Sequence, residues 1–366
     1  MNKKLLKLIS KIGITVFTAL FTLCLLGGTI MIANEDAINS VLDVETQQKV
    51  DDPEAANRDL EYYKSAFRSV KEVRANGARY AETIASEGMT LLKNENAALP
   101  LRQGSKVSLF GSGSAHTLAS ANAVSDITML EGLEEAGLEV NEELYNWYDS
   151  NYTKYGWQKS GGAVGARWYN NEATWEQIDT DAKTEKADMA IFVITRGGGE
   201  GRDCAMTGAK NKDTTTSDGT KDNYLQLSEG EKDTLKKLKE QKDLGTFEHI
   251  MVAFNTANMV ECDFVNDPQY GIDAAMWIGV YGDHGAFAFG DLLTGSRTPS
   301  GKLSDTFFAK HRLNPVNTNY GMMVGDEMNF DNCGQYDGRV RTVSDGRHAV
   351  YQEGIYMGYH YTETRY

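Results

Sequence analysis

The chain has 366 residues, with 52 acidic against 37 basic side chains and a formal net charge of −15. That balance argues against a nucleic-acid partner, which needs a basic face against phosphate. The length suffices for one large domain or two ordinary ones, and the 4 cysteines and 6 histidines lie too far apart in sequence to suggest a zinc site.

The first element is the most explicit. Lys3, Lys4, Lys7 and Lys11 precede an uncharged run over residues 12–33, and Glu35, Asp36, Asp43 and Glu45 follow it. About 20 apolar residues cross a bilayer. The basic flank predicts a cytoplasmic segment 1–11, a transmembrane helix 12–33 and an extracellular remainder, a single-pass cell-membrane protein. A cleaved signal peptide is the rival reading, but its apolar core is shorter, about 7–15 residues. Cys24 lies within the run and lacks the small residue that a lipoprotein site needs before it.

Residues 34–75 are polar and charged and read as a stalk with some helix, leaving 76–366 as the folded domain. Within it, residues 78–93 carry a rough helical stripe. Residues 106–110 form a strand that turns out through Gly111-Ser-Gly113, and 128–136 a short helix ended by Gly137. A strand at 138–140 and an aromatic helix at 141–152 follow. Residues 155–175, rich in Gly, Trp and Tyr, read as a surface excursion.

The apolar run 189–194 has the size of a buried strand. It ends at Thr195-Arg196, then three glycines, then Glu200-Gly201-Arg202-Asp203. A carboxylate thus sits on a tight loop beyond a strand's carboxyl end, where ligands bind in open α/β sheets. Ser228 and Glu231 form the capping-box pattern of a helix over 228–241. Strands at 250–254 and 274–280 follow, the latter leading to Asp283-His284, which reads equally as a ligand contact or a polar turn. A helix over 286–293 is closed by Gly295. This alternation predicts an α/β fold, a mostly parallel sheet with helices on both faces, preceded by one transmembrane helix.

Two nucleotide-like patterns fail. Gly111-Ser-Gly113 begins a dinucleotide fingerprint and Glu131 stands where a ribose-binding acid belongs, but His116 occupies the third glycine position. The Gly295 to Lys302 segment has five intervening residues rather than four and Leu303 after the lysine, so it is not a phosphate loop. No G-x-S-x-G elbow occurs. Neither cofactor nor metal is expected.

Several stretches, in order, resemble glycoside hydrolase family 3 in its α/β sandwich domain. Residues 85–101 (ASEGMTLLKNENAALPL) look like that domain's leading helix and LLKNE…LPL turn. Residues 196–203 look like its acid/base loop, and 225–231 like the segment before the next helix. Ala253-Phe-Asn255 resembles the strand ending in Asn, 292–306 (LLTGSRTPSGKLSDT) the PSGKL segment, and 353–359 (EGIYMGY) a late EGIY segment. The resemblance implies retaining β-glycosidase chemistry of β-glucosidase type, with Glu200 as acid/base and Arg196, Asp203 and His284 as substrate-binding candidates. The family's glycine-rich loop after the first strand has no counterpart here, since residues 119–126 contain no glycine.

The family's nucleophile is an aspartate on a (β/α)8 barrel, which needs about 250 residues. Only 76 residues precede Gly77 and seven follow Tyr359. The expectation is therefore a membrane-anchored bacterial acid/base domain of an inverted-order member, incomplete alone, with a barrel domain supplied in cis or in trans. Its other partners are a glycoside substrate and the lipid bilayer. The rival readings are a non-catalytic glycan-binding module using the aromatic excursion, and a truncated product. Pairing among Cys204, Cys262 and Cys333 is left open.

Overall fold

A computed structural model describes residues 3–35, 38, 65–120, 123–160, 167–198, 224–310 and 353–365. The chain forms two compact units, Met1–Ala66 and Phe67–Tyr366. In the first, α1 spans Lys3–Ala33. Its 23-residue stretch Lys11–Ala33 is long and apolar enough to span a membrane or to serve as a signal sequence. At 1.5 Å per residue it covers about 35 Å, and Ile14, Phe17, Leu23 and Ile32 along it are exposed.

The second unit opens with α2, Val70–Gly88, capped by the Ser69 hydroxyl accepting from the Glu72 amide. The helix starts eight residues earlier than the apolar stripe suggests and stops short of its apolar end. Thr90–Asn94 is instead a strand, β1. Thr90, Leu91 and Leu92 fit either periodicity; tertiary pairing decides, because they complete an otherwise open sheet edge.

The elements that follow are β2 (Lys106–Phe110), β3 (Leu118–Ser120), β4 (Ala123–Val124), α3 (Met129–Glu135), β5 (Glu139–Val140), α4 (Glu142–Asn151), β6 (Trp157–Ser160) and β7 (Arg167–Asn170). Then come β8 (Ala187–Arg196), α5 (Glu229–Asp243), β9 (Phe247–Thr256), β10 (Ala274–Trp277), α6 (Gly285–Thr294) and α7 (Tyr359–Arg365). The main sheet has the order β1-β10-β9-β8-β2-β5. All its pairings are parallel except β1 with β10. β3–β4 and β6–β7 are separate antiparallel hairpins.

The two ten-residue strands β8 and β9 form the centre, paired from Ala187↔Phe247 to Arg196↔Thr256. From Met189 to Ile194 every β8 side chain is buried, as is every β9 side chain from Ile250 to Phe254. Such continuous apolar runs mark strands covered on both faces. The excursion at 155–175 is anchored in this core at both ends. Tyr155 is buried, and Trp175 stacks on Phe110 with centroids 5.9 Å apart.

Helices α3 and α6 meet through glycines. A Cβ on Gly132 would strike the Ala286 carbonyl, and one on Gly290 the Gly132 carbonyl. Alanine is the better helix former by about 1 kcal/mol, but backbone atoms on the opposing helix cannot yield. Overpacking of about 1–3 kcal/mol therefore dominates. Gly132→Ala is expected to lower the chemical-denaturation midpoint. The 292–306 segment is likewise structural: Arg297 binds Glu82 at 2.6 Å, Ser86 at 3.1 Å and Asp291 at 3.0 Å, joining α2 to α6.

Candidate active site

The carboxyl ends of β2, β8, β9 and β10 share one edge of the sheet. There the chain leaves β2 through Gly111, whose φ of 87° and whose contact with the Val193 carbonyl admit no side chain. Asn255, near the end of β9 and fully buried, stitches two neighbouring loops. Its Oδ1 accepts from the Leu118 amide at 2.6 Å, and its Nδ2 donates to the carbonyls of Gly279 at 2.7 Å and Leu118 at 3.2 Å. Asn255→Leu would strand the Leu118 amide and both carbonyls. We expect about 2–4 kcal/mol of lost stability, read by urea titration.

The loop after β10 is tied to the loop after β2. Tyr281 and Thr117 share a 2.6 Å hydroxyl contact, and Gly282 donates to the Ala119 carbonyl at 2.9 Å. Asp283 accepts from the Asp126 amide at 3.1 Å and Ser125 Oγ donates to its carbonyl at 3.4 Å. Asp283 is therefore a stitch between these loops. His284 follows at the start of α6, half-buried, its ring 6.0 Å from that of Phe287.

Arg196 ends β8. The sequence points to a substrate-binding side chain, but only 2% of the residue is exposed. Its guanidinium makes a bidentate pair with Glu231, Nη1 to Oε1 and Nη2 to Oε2, both 2.7 Å. Nε donates to the Tyr224 carbonyl at 2.6 Å, Nη2 to that of Gln226 at 2.8 Å and Nη1 to that of Thr195 at 3.0 Å. A side chain so engaged acts through its neighbours; its depth replaces the surface contact that the motif suggests. Burial opposes the charge on Glu231, but Arg196, helped by Ser228, outweighs it and holds the carboxyl below its ordinary pKa. Burial likewise opposes the charge on Arg196, and Glu231 reverses this to hold the guanidinium protonated.

Glu231 still performs the capping role legible in the sequence, accepting from the Ser228 amide at 2.7 Å. Its second role needed tertiary structure. Sequence reasoning also missed Glu172, a buried carboxyl accepting from the amide and hydroxyl of Ser112, both at 2.8 Å. Burial, with a smaller push from Glu231, raises its pKa to about 7 against the pull of the Ser112 and Ala173 hydrogen bonds.

A raised carboxyl pKa stabilises the fold below the unfolded value, and that contribution disappears as pH rises through the folded value. For Glu172 the window is about pH 4.5 to 7. The expected size is about 3 kcal/mol at roughly 1.4 kcal/mol per unit. Relative to wild type, Glu172→Gln should therefore gain stability as pH rises from 5 to 8. A stability difference that stays flat across this range would refute the assignment.

Glu200 and Asp203 lie outside the described residues, as do Cys204 and Cys333. The segment bearing Glu200 and Asp203 follows Gly197, whose carbonyl accepts from Tyr224 Oη at 3.1 Å and from Asn258 Nδ2 at 3.4 Å. Gly198 abuts the Asn258 side-chain amide, which would have to shift to admit a Cβ there. Glu200 is three residues beyond Gly197, so its Cα is within about 11 Å of that held point. Among the described residues, no three His, Cys, Asp or Glu side chains cluster as a metal site requires. A 530 Å³ cleft is lined by Gln226, Lys232, Glu261 and Asp267, among others, and its described lining includes neither Arg196 nor His284.

A parallel α/β sheet with glycine-turned loops at its carboxyl edge defines the class: an α/β sandwich domain with its candidate site on that edge. Residues 89–359 match the family model described as Glycosyl hydrolase family 3 C-terminal domain, and the chain belongs to that family. Beta-glucosidase A of Butyrivibrio fibrisolvens is 30% identical over 297 residues, which cover 76% of this chain and 32% of that protein. Beta-glucosidase of Ruminococcus albus is 25% identical over 296 residues, 78% of this chain and 26% of that one. Beta-glucosidase 3B from Thermotoga neapolitana, solved in complex with glucose, superposes with a TM-score of 0.58 at 27% identity. That match covers 80% of this chain and 36% of the solved one. The chain thus spans about a third of the length of these relatives.

Proposed function

We propose that this chain supplies the acid/base half of a retaining β-glucosidase site, with Glu200 as the group that exchanges the proton. One observation carries the reading: the segment bearing Glu200 departs from the carboxyl end of the central strand β8, in a chain that belongs to glycosyl hydrolase family 3. In retaining hydrolysis one carboxylate attacks the anomeric carbon while the other protonates the leaving oxygen. The second then takes a proton from the water that releases the sugar. Glu200 performs this second role, and an aspartate on a (β/α)8 barrel, in cis or in trans, performs the first.

Asp203, three residues on, and His284, at the neighbouring strand edge, are assigned to sugar hydroxyls. The strands β8 and β10 are separated by β9, so their ends lie about 10 Å apart, a spacing that suits one sugar ring between them. Arg196 is assigned to the support beneath this edge. The substrate class is a β-glucoside, following the names of the relatives. The N-terminal helix anchors the domain at the cell membrane, facing outward.

The test is hydrolysis of a panel of aryl β-glycosides by the whole chain in detergent. It is run alone and with the unmatched remainder of the Butyrivibrio fibrisolvens protein added in trans. Turnover selective for glucosides is expected only with the remainder added; turnover by the chain alone would contradict the half-site reading. Binding of sugars without turnover in both arms would favour a glycan-binding module instead. The burial of Tyr155 and Trp175 already removes two aromatic platforms from that alternative.

A further inference from the structure

We infer that α2 lies along an anionic lipid surface, with its outward apolar row at the acyl boundary and its basic side chains at the phosphates. The inference rests on the reading of α1 as the anchor and is independent of the Glu200 assignment. Val70, Val73, Gly77, Tyr80 and Ile84 follow one another at alternating steps of three and four residues. At about 100° per residue they fall within an arc of about 80°, along about 21 Å of helix. The opposite side of α2 meets the domain: Ser86 is buried, and Glu82 and Ser86 both accept from Arg297. The apolar row therefore faces away from the sheet. Val70 is 68% exposed and Ile84 67%, and Gly77 has open space where a Cβ would stand. Single exposed apolar side chains are ordinary, but a continuous row along one helix face is not.

Charge decides what covers this row. The chain has a formal net charge of −15. Over residues 68–80, however, Arg68, Lys71, Arg74 and Arg79 stand against Glu72 alone, all of them exposed. Glu72 is occupied at the helix start, accepting from the Arg68 amide at 2.6 Å. Further along, Glu82 is paired with Arg297 at 2.6 Å, and Glu87 stands in the last turn, beyond the basic stretch. A local basic excess on an acidic protein selects an anionic surface, and repulsion of the remaining surface confines the contact to this helix. Lipid phosphates supply that charge with an apolar layer beneath it, which is what an apolar row flanked by Lys and Arg requires. The Arg79 guanidinium carbon lies 5.5 Å from the Tyr80 ring centroid. Cation and amphipathic ring thus sit together, as side chains at headgroup level do. A second copy of the chain is the competing occupant, since the same spacing makes a coiled-coil seam. Gly77 would leave a gap in its central layer, and the flanking positions Ser69, Asn76, Ala81 and Thr83 offer Arg74 no acidic partner.

The experiment places the whole chain in nanodiscs, one chain per disc, made of phosphatidylcholine alone or with about 30% phosphatidylglycerol. Amide exchange of peptides covering 70–84 is read in each. Exchange should be at least about tenfold slower in the anionic discs. Salt at about 0.5 M, which shortens the screening length to about 4 Å, should remove most of that difference. Lys71→Gln/Arg74→Gln should remove it as well, since each basic residue near an anionic surface strengthens binding about fivefold. Val73→Ser/Ile84→Ser should abolish the protection and still melt within about 2 °C of wild type, because both side chains are exposed. Equal exchange in the two lipids would overturn the inference, as would protection that survives loss of the apolar side chains. Protection that appears only with two chains per disc, whatever the lipid, would overturn it in favour of a second copy. The 12–33 amides report the anchor in the same discs. If they are unprotected, the anchor reading fails and the lipid comparison at 70–84 still decides the inference.

Discussion

Glu231→Leu is expected to destabilise the domain by about 3–5 kcal/mol, because it leaves the Arg196 guanidinium charged, buried and without its carboxylate. For a unit spanning Phe67–Tyr366 the melting temperature should fall by about 5–8 °C. Loss of the capping box contributes only about 1 kcal/mol of that, so Ser228→Ala provides the comparison. Most of the loss comes from the orphaned cation, and adding Arg196→Met to Glu231→Leu should recover the greater part of it. The two single effects would then be strongly non-additive. The pH dependence has a definite sign. The Glu231 pKa is depressed in the fold, so its contribution is complete above the unfolded value near 4.3 and is lost as pH falls through the folded one. The gap between Glu231→Leu and wild type should therefore narrow on acidification. For Glu172 the trend against its variant runs the other way. Equal melting temperatures for the two single variants and the double variant would contradict the orphaned-charge explanation.

Glu231 also shows how far a sequence can be read. Its capping role is local, three residues from Ser228, and the spacing alone reveals it. Its partner Arg196 lies 35 residues upstream, and only the packing of α5 against the carboxyl end of β8 brings them together. Arg196 resembles a site residue because it sits beside the acid/base motif. Charge next to a candidate catalytic group does not say which way the side chain faces, and here it turns into the protein. Glu172 carries no signal at all: its position within an aromatic-rich stretch suggests surface, while the burial of Tyr155 and Trp175 shows that stretch is tied to the core at both ends.

The sheet is more legible. The apolar runs of β8 and β9 have the length and continuity of strands covered on both faces, and Gly295 closes α6 with the left-handed φ of 75° expected of a helix terminator. The misread element is β1. Thr90-Leu91-Leu92 carries no period that separates strand from helix, and its state is settled by the free edge of β10. Family membership rests on motifs spread from the start of β1 to the EGIY segment. Those motifs are partly architectural. Asn255 joins loops, Arg297 joins helices, and Gly301 admits no Cβ against the Met89 carbonyl.

The second large effect concerns chemistry. General acid–base assistance contributes about 10²–10⁴-fold, and its share depends on the leaving group. A phenol of low pKa departs without a proton, whereas an alkyl or weakly acidic aryl group needs one. Glu200→Gln preserves shape and removes the exchangeable proton, so its effect on the first step should grow with leaving-group pKa. The most direct measurement is kcat/KM for aryl β-glucosides of graded leaving-group pKa, for wild type and Glu200→Gln, each assembled with the missing remainder in trans. A loss of at least about 100-fold is expected for the poorest leaving group, shrinking to little for the best. A variant that matches wild type throughout, or that is slowed equally for every leaving group, would contradict the assignment of Glu200 as the acid/base.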